Sequence, residues 1–213
     1  MRSLILLFVA FGTTSATTGF DAMEKLDKTI FTCLQSSNQA SFFIGRIWER
    51  SGRFDTRGLG NLKAANETGY TTDGLFDVCL STNCATAASQ FESAINRINQ
   101  EGVPLGTVWI GLQGEHWNQD VASHQKVVQD IAAQADKMKV TVGVQTSQRE
   151  WDRVMGKDFT GLSTRPLWWE HNDHTPAFGN YTAFGGWTAP TMHRYQNIRP
   201  CSTPAFIDLD YKA

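Results

Sequence analysis

Neither sign of charge dominates this chain. Nineteen Lys and Arg oppose twenty-one Asp and Glu, a net charge of −2 over 213 residues, and no long basic patch occurs. There is thus no electrostatic case for a nucleic-acid partner. Beyond the first dozen residues no apolar run is long enough to cross a bilayer. No G-x-G-x-x-G follows a strand pattern and no P-loop occurs, which removes the usual nucleotide readings. A G-x-S-x-G elbow is also missing, so Ser-His-Asp chemistry has no setting. His171-Asn172-Asp173-His174 has metal-binding residue types but no standard zinc spacing. His116, His124 and His193 are scattered along the chain. No metal and no cofactor are expected.

The amino terminus carries a targeting pattern. Arg2 precedes an unbroken apolar run over 4–11, and Thr14-Ser15-Ala16 supplies small residues suited to cleavage. Residues 1–16 read as a secretory signal peptide, which predicts a secreted protein, in the extracellular space or a secretory or lysosomal lumen. Residues 17–213 then form one domain. Four cysteines fit an oxidising compartment. Asn66-Glu67-Thr68 and Asn180-Tyr181-Thr182 become candidate glycosylation sites at Asn66 and Asn180.

Strand-like and helix-like segments alternate along the chain, with no internal repeat and no Pro/Ser-rich linker. Strands are expected over 19–23, 41–48, 75–80, 107–112, 140–144, 167–169, 191–196 and 206–209. Helices are expected over 24–34, 59–68, 85–100, 122–138 and 149–155. Phe91, Ile95 and Ile98 show helical spacing, as do Val127, Val128 and Ile131. Such alternation predicts an α/β fold with a parallel sheet. Eight strands suggest closure into a (β/α) barrel, irregular because the last third is poor in helices; an open doubly wound sheet is the alternative.

Val108-Trp109-Ile110-Gly111-Leu112-Gln113-Gly114 is the most informative stretch. Positions 111 and 113 alternate on a strand and so share a side. At the end of a barrel strand that side faces the active-site mouth. Other motifs join it in order. Thr18-Gly19-Phe20-Asp21 opens the domain, and Ser41-Phe42-Phe43-Ile44-Gly45-Arg46 follows. Pro166-Leu167-Trp168-Trp169-Glu170-His171-Asn172-Asp173 supplies an aromatic strand end. Phe184-Gly185-Gly186-Trp187-Thr188-Ala189-Pro190 leads into Tyr195-Gln196, and Ile207-Asp208-Leu209-Asp210-Tyr211 closes the chain. In this order they resemble the family 25 glycoside hydrolases, the muramidases called Chalaropsis-type lysozymes, especially their animal branch. The resemblance covers nearly all of 17–213.

The resemblance implies an irregular TIM-like barrel and peptidoglycan, or a related amino-sugar polymer, as partner. It implies an acid on the first strand, an Asp-x-Glu pair on the central strand and an acid on the last strand, gathered at the strands' C-terminal ends. Asp21 and Asp208 match the outer two. Gly111 stands at the place of the paired Asp and Gln113 at that of the general-acid Glu. Gln145, in Gly143-Val144-Gln145-Thr146, stands where the family has tyrosine, as does Cys79 in Asp77-Val78-Cys79. Glycosidic cleavage needs a proton on the leaving oxygen, and an amide cannot deliver it. The expected result is a pocket that holds a sugar without cutting it.

Glu115 is the candidate relocated acid, since a strand continuing in phase from Gln113 points it the same way; Gly114 argues for a turn there instead. Asp21 and Asp208 orient water or bind sugar amides, or else serve structure by pairing with Arg46 or capping a strand end. Arg46, Gln145 and Tyr195 join Gly111 and Gln113 as candidate substrate contacts, and Trp168, Trp169 and Trp187 are the candidates for stacking on sugar rings. In the barrel, Cys33 near the end of the first helix and Cys201 before the last strand come together at the bottom, which pairs Cys33 with Cys201 and Cys79 with Cys84. Three functions stay open: an impaired or non-catalytic cell-wall binder in antibacterial innate defence, an active muramidase using Glu115 with Asp21 and Asp208, and an interaction scaffold. A monomer is expected.

Overall fold

The computed structural model describes residues 16–213; residues 1–15, and with them the expected signal segment, lie outside the described residues. In chain order the elements are β1 (Thr17–Ala22), α1 (Lys28–Asn38), β2 (Ala40–Glu49), β3 (Arg53–Phe54), α2 (Thr56–Glu67), β4 (Thr71–Phe76), α3 (Ala87–Gln100), β5 (Thr107–Gly111), α4 (Val121–Met138), β6 (Thr141–Thr146), α5 (Gln148–Val154), β7 (Leu167–Glu170), β8 (Met192–Ile198) and β9 (Ile207–Lys212). Each helix starts at a side-chain cap. Asp27, Asp55, Thr86, Asp120 and Ser147 accept from backbone N–H groups of the first turns. Those donors have no partner inside the helix.

Strands β1, β9, β8, β7, β6, β5, β4 and β2 are hydrogen-bonded in that order, and β2 pairs back onto β1, closing an eight-stranded barrel. The two-residue β3 only extends the end of β2. Alternation predicts an all-parallel barrel, but β9 runs antiparallel to both β1 and β8. Only residues 199–206 separate β8 from β9. A parallel crossover needs a dozen residues or more, so the chain turns straight back. Asp208 therefore lies at the start of its strand rather than at a C-terminal end, yet at the end of the barrel where the parallel strands finish.

Two boundaries differ from the sequence expectation for local reasons. The first helix begins at Lys28 rather than at 24, because the Asp27 carboxylate accepts from Thr29 N at 2.9 Å and Ile30 N at 3.2 Å. The third barrel strand is Thr71–Phe76 rather than 75–80. The turn at Gly69 frees the chain early, and the apolar run after Phe76 enters a loop closed by Cys79–Cys84. The second disulfide, Cys33–Cys201, ties α1 to the β8–β9 turn.

The barrel sorts side chains by strand alternation. Phe42, Ile44, Leu75, Trp109, Trp168 and Met192 fill its interior. Phe20, Phe31, Phe43 and Tyr70 pack outside it, with ring centroids 5.0–5.9 Å apart, between strands and helices. Each such buried side chain contributes about 1.5–3 kcal/mol. Lower in the barrel, polar tips are paired: Trp109 Nε1 and Lys212 Nζ both donate to Asp73, at 3.1 and 2.8 Å, and Trp168 Nε1 donates to Asp210 at 2.8 Å. This packed floor sets the depth of the mouth above it.

Candidate functional site

Above that floor the inward positions become charged. Asp21 on β1 and Asp208 on β9 are directly opposite in the strand register. Arg194, two residues beyond the interior Met192 on β8, donates through Nη2 to Asp21 at 2.8 Å and also to Asp208. Its Nη1 lies 3.5 Å from Glu170, the last residue of β7. Asn197 Nδ2 donates to the other Asp208 oxygen at 2.9 Å. Asp21 is 1% exposed and its second oxygen has no partner.

Burial governs the protonation of this cluster. It lifts the Asp21 carboxyl to about 8 against the pull of Arg194, with Asp208 and Glu170 adding repulsion. Burial also raises Glu170, and the charge of Asp208 adds to it. Asp210, one layer below, is pushed up by burial and by Asp21. A carboxyl held neutral near pH 7 can donate a hydrogen bond or a proton.

The central strand contributes no acid. Gly111 ends β5, and a Cβ on it would fall 2.5 Å from Asp77 Oδ1 and 3.5 Å from Gln145 Oε1. Gln113 lies past the strand, half-buried, with its amide nitrogen enclosed and unpartnered. Its backbone carbonyl accepts from Arg50 Nη2 at 3.3 Å. Gly114 has φ +85° and turns the chain there. Glu115 is exposed in the loop beyond that turn.

Arg46 does not pair with Asp21. Its Nε donates to Asp55 at 2.7 Å, and its Nη1 lies 3.7 Å from Asp77. Asp21 takes Arg194 instead, because β8 reaches the mouth beside β9. Gln145 is buried at the mouth. Trp168 is enclosed inside the barrel, with the Arg194 guanidinium 5.8 Å from its ring centroid. Trp169 lies on the outer side, stacked 4.2 Å from His193. Trp187 packs on Trp151 at 4.7 Å, and Tyr195 is buried near His193. Asn66 and Asn180 are both exposed.

Two cavities flank the mouth. One of about 590 Å3 is bordered by Arg149, Trp169, Glu170, His171 and Asn180. The other, about 480 Å3, is bordered by Met23, Arg46, Glu49, Arg50, Arg57 and Asp77. Sequence reasoning missed Arg194 and Glu170 as site residues. Alternation carried the signal, since both sit two residues past interior positions, Met192 and Trp168. The His171–His174 segment holds no metal-type cluster among the described residues. It is tied down by His193, whose ring nitrogens lie 2.7 Å from the carbonyls of Ala177 and His171.

The family model described as lysozyme-like protein 1 matches residues 12–195. Lysozyme-like protein 5 of Caenorhabditis elegans is 31% identical over 208 residues, covering 97% of this chain and 96% of that protein. A family GH25 lysozyme from Aspergillus fumigatus has the same fold, with a TM-score of 0.69 over 93% of this chain and 94% of that chain at 14% identity. The modular autolysin LytC from Streptococcus pneumoniae, solved with a synthetic peptidoglycan ligand, gives a TM-score of 0.75 over 95% of this chain and 48% of that chain, also at 14% identity. The barrel with its ring of mouth carboxylates and these matches over nearly the whole described chain lead to one conclusion: the chain belongs to the lysozyme-like proteins of glycoside hydrolase family 25.

Proposed function

We propose that this is a secreted protein that binds bacterial peptidoglycan in antibacterial defence and hydrolyses it poorly or not at all. The observation that carries the reading is the absence of a carboxyl at both 111 and 113, at a mouth where Asp21, Asp208 and Glu170 all converge on Arg194. Cleavage needs a proton donor aimed at the glycosidic oxygen and a carboxylate facing the developing positive charge. The Gln113 amide keeps a hydrogen-bond donor but cannot give up a proton. General acid catalysis contributes about 10²–10⁴-fold, so turnover near background is expected while sugar binding survives. Two disulfides, the apolar segment at 4–11 and the lack of a membrane-crossing helix among the described residues support secretion. LytC supplies the peptidoglycan precedent on this fold.

One observation favours a second reading, active hydrolysis. Glu170 borders the larger cavity, stands beside Asp21 and Asp208 through Arg194, and has a carboxyl raised by burial. It is a better-placed donor than the exposed Glu115. Two measurements decide: pull-down on purified peptidoglycan, and release of reducing sugar from it by the wild type, Glu115→Gln and Glu170→Gln. Binding without sugar release supports the first reading. Sugar release abolished in one variant overturns it and names the acid. No binding at all leaves the barrel as an interaction scaffold.

A further inference from the structure

We propose that His193 is a doubly protonated, positively charged positioning residue, and that its two N–H groups fix the wall of the 590 Å3 cavity. Its effect on binding rests on the reading of that cavity as part of a sugar site; its charge does not. His193 sits on β8 between the interior Met192 and the mouth residue Arg194, so alternation turns its ring to the outside of the barrel. There it has no exposed surface. Nδ1 lies 2.7 Å from Ala177 O, and Nε2 lies 2.7 Å from His171 O. Both partners are main-chain carbonyls, which can only accept. A neutral imidazole has one N–H and one bare lone pair. Either tautomer would press that lone pair against a carbonyl oxygen. Only the imidazolium donates to both, at the short distance of a charge-assisted hydrogen bond.

The surroundings suit a buried cation. The ring is stacked on Trp169, with centroids 4.2 Å apart, and an indole face attracts positive charge. Asp173 Oδ1 is 3.8 Å from Nε2 and supplies the counter-charge. Asp173 also accepts from Thr175 N and from Asn180 Nδ2, both at 2.9 Å. The other titratable rings nearby are His171, exposed and 6.4 Å away, Tyr195 at 6.1 Å, and Tyr211, the register partner on β9. Glu170 and Asp210 lie on the inner side of β7 and β9, toward Arg194 and Trp168. The loop after β7 is thus tied at His171, Asp173, Ala177 and Asn180, and the first and last of these border the cavity. The loop also holds His174 at φ +59°, a strained conformation that persists only where neighbours enforce it. Loss of one proton from His193 sets a lone pair against a buried carbonyl, and the loop must give way there. The wall is ordered while His193 is charged and loosens as rising pH discharges it.

Wild type, His193→Phe and Asp173→Asn are compared between about pH 5 and about pH 9. Phenylalanine keeps the stacked ring and removes both donors. Three quantities are measured: the protonation of the ring nitrogens by NMR, the exchange protection of the 171–182 amides corrected for the intrinsic rise with pH, and affinity for soluble disaccharide-peptide fragments of peptidoglycan. In the wild type both ring nitrogens should carry protons at the acid end. Protection should fall about tenfold as the second proton leaves, the worth of one hydrogen bond. His193→Phe should show low protection at every pH. Its affinity should lie about tenfold below wild type at the acid end and approach it at the basic end. Asp21 titrates at the mouth of all three proteins, so the difference between wild type and His193→Phe isolates His193. Asp173→Asn should move the loss of protection to lower pH. A single ring proton in the wild type at the acid end, with the wall protected, overturns the charged state, and that measurement needs no variant. Equal affinity of wild type and His193→Phe at every pH overturns the positioning role. If protection follows the ring proton but the wild type binds no fragment, the sugar-site reading falls and the charged His193 stands.

Discussion

Asp21 and Asp208 face each other across the antiparallel β1–β9 ladder, and a single guanidinium, Arg194, holds both. Were β9 parallel, its start would lie at the opposite end of the barrel. The short return from β8 thus places the last acid next to the first.

Arg194→Met should destabilise the fold by about 3 kcal/mol, the lower end of the cost of stripping one partner from a buried ion pair. The lower end applies because the Asp208 side chain keeps 25% of its surface in solvent. Arg194→Lys should fall between, since an ammonium lacks the planar fork that meets several carboxylates at once. Urea unfolding measures both; a Met variant as stable as wild type would show that the carboxylates relax into solvent.

Stability should decline as pH rises through the neutral range. The Asp21 carboxyl goes from 3.8 in its ordinary state to about 8 in the fold. Between those values the folded protein keeps a proton that the unfolded chain has released. The stabilisation is complete below about pH 4 and is lost as pH climbs through 8. Burial pushes Asp77, Glu170 and Asp210 in the same direction. Asp21→Asn fixes the neutral form, so its melting temperature should fall less between pH 5 and 8 and exceed that of wild type at pH 9. Parallel pH profiles for the two proteins would contradict this.

The two disulfides should differ sharply in worth. Cys33–Cys201 spans 168 positions and Cys79–Cys84 only 5. Chain-entropy arguments assign roughly 5 kcal/mol to the first loop and roughly 2 kcal/mol to the second. Serine pairs at each bridge, unfolded in guanidinium, should reproduce that order. The reverse order would mean that the small loop holds Asp77 and the end of β4 in place.

Several features of this fold were legible in the sequence because they are periodic or capped. The helix over 121–138 and the apolar strand at 107–111 could be placed to within a residue or two. Asp21 and Asp208 could be located because ordered motifs carry them. Arg194 was not foreseen, since a lone arginine in a polar strand has no local signature, and its importance comes from three carboxylates brought together by closure of the barrel. The direction of β9 was missed although the short 199–206 connection encodes it. The approach of the Asp77 carboxylate to the bare face of Gly111 was invisible, because it depends on which way one side chain leans toward the adjacent strand.

Positions 111 and 113 decide how lost catalysis should be restored. Gln113→Glu returns a group that can carry a proton, but a donor needs its pKa raised by burial or by a neighbouring carboxylate. Gly111→Asp would supply the neighbour, and the Asp77 carboxylate, whose Oδ1 lies 2.5 Å from the new Cβ, must swing aside to admit it. The double variant Gly111→Asp/Gln113→Glu should therefore recover some release of reducing sugar from peptidoglycan. Partial rescue is the expectation, because Gln145 shapes the same mouth and a 1 Å misplacement costs about 10²-fold. If a well-folded double variant is no more active than wild type, the obstacle lies in how the sugar is held rather than in the acids, and Gln145→Tyr becomes the next substitution to add.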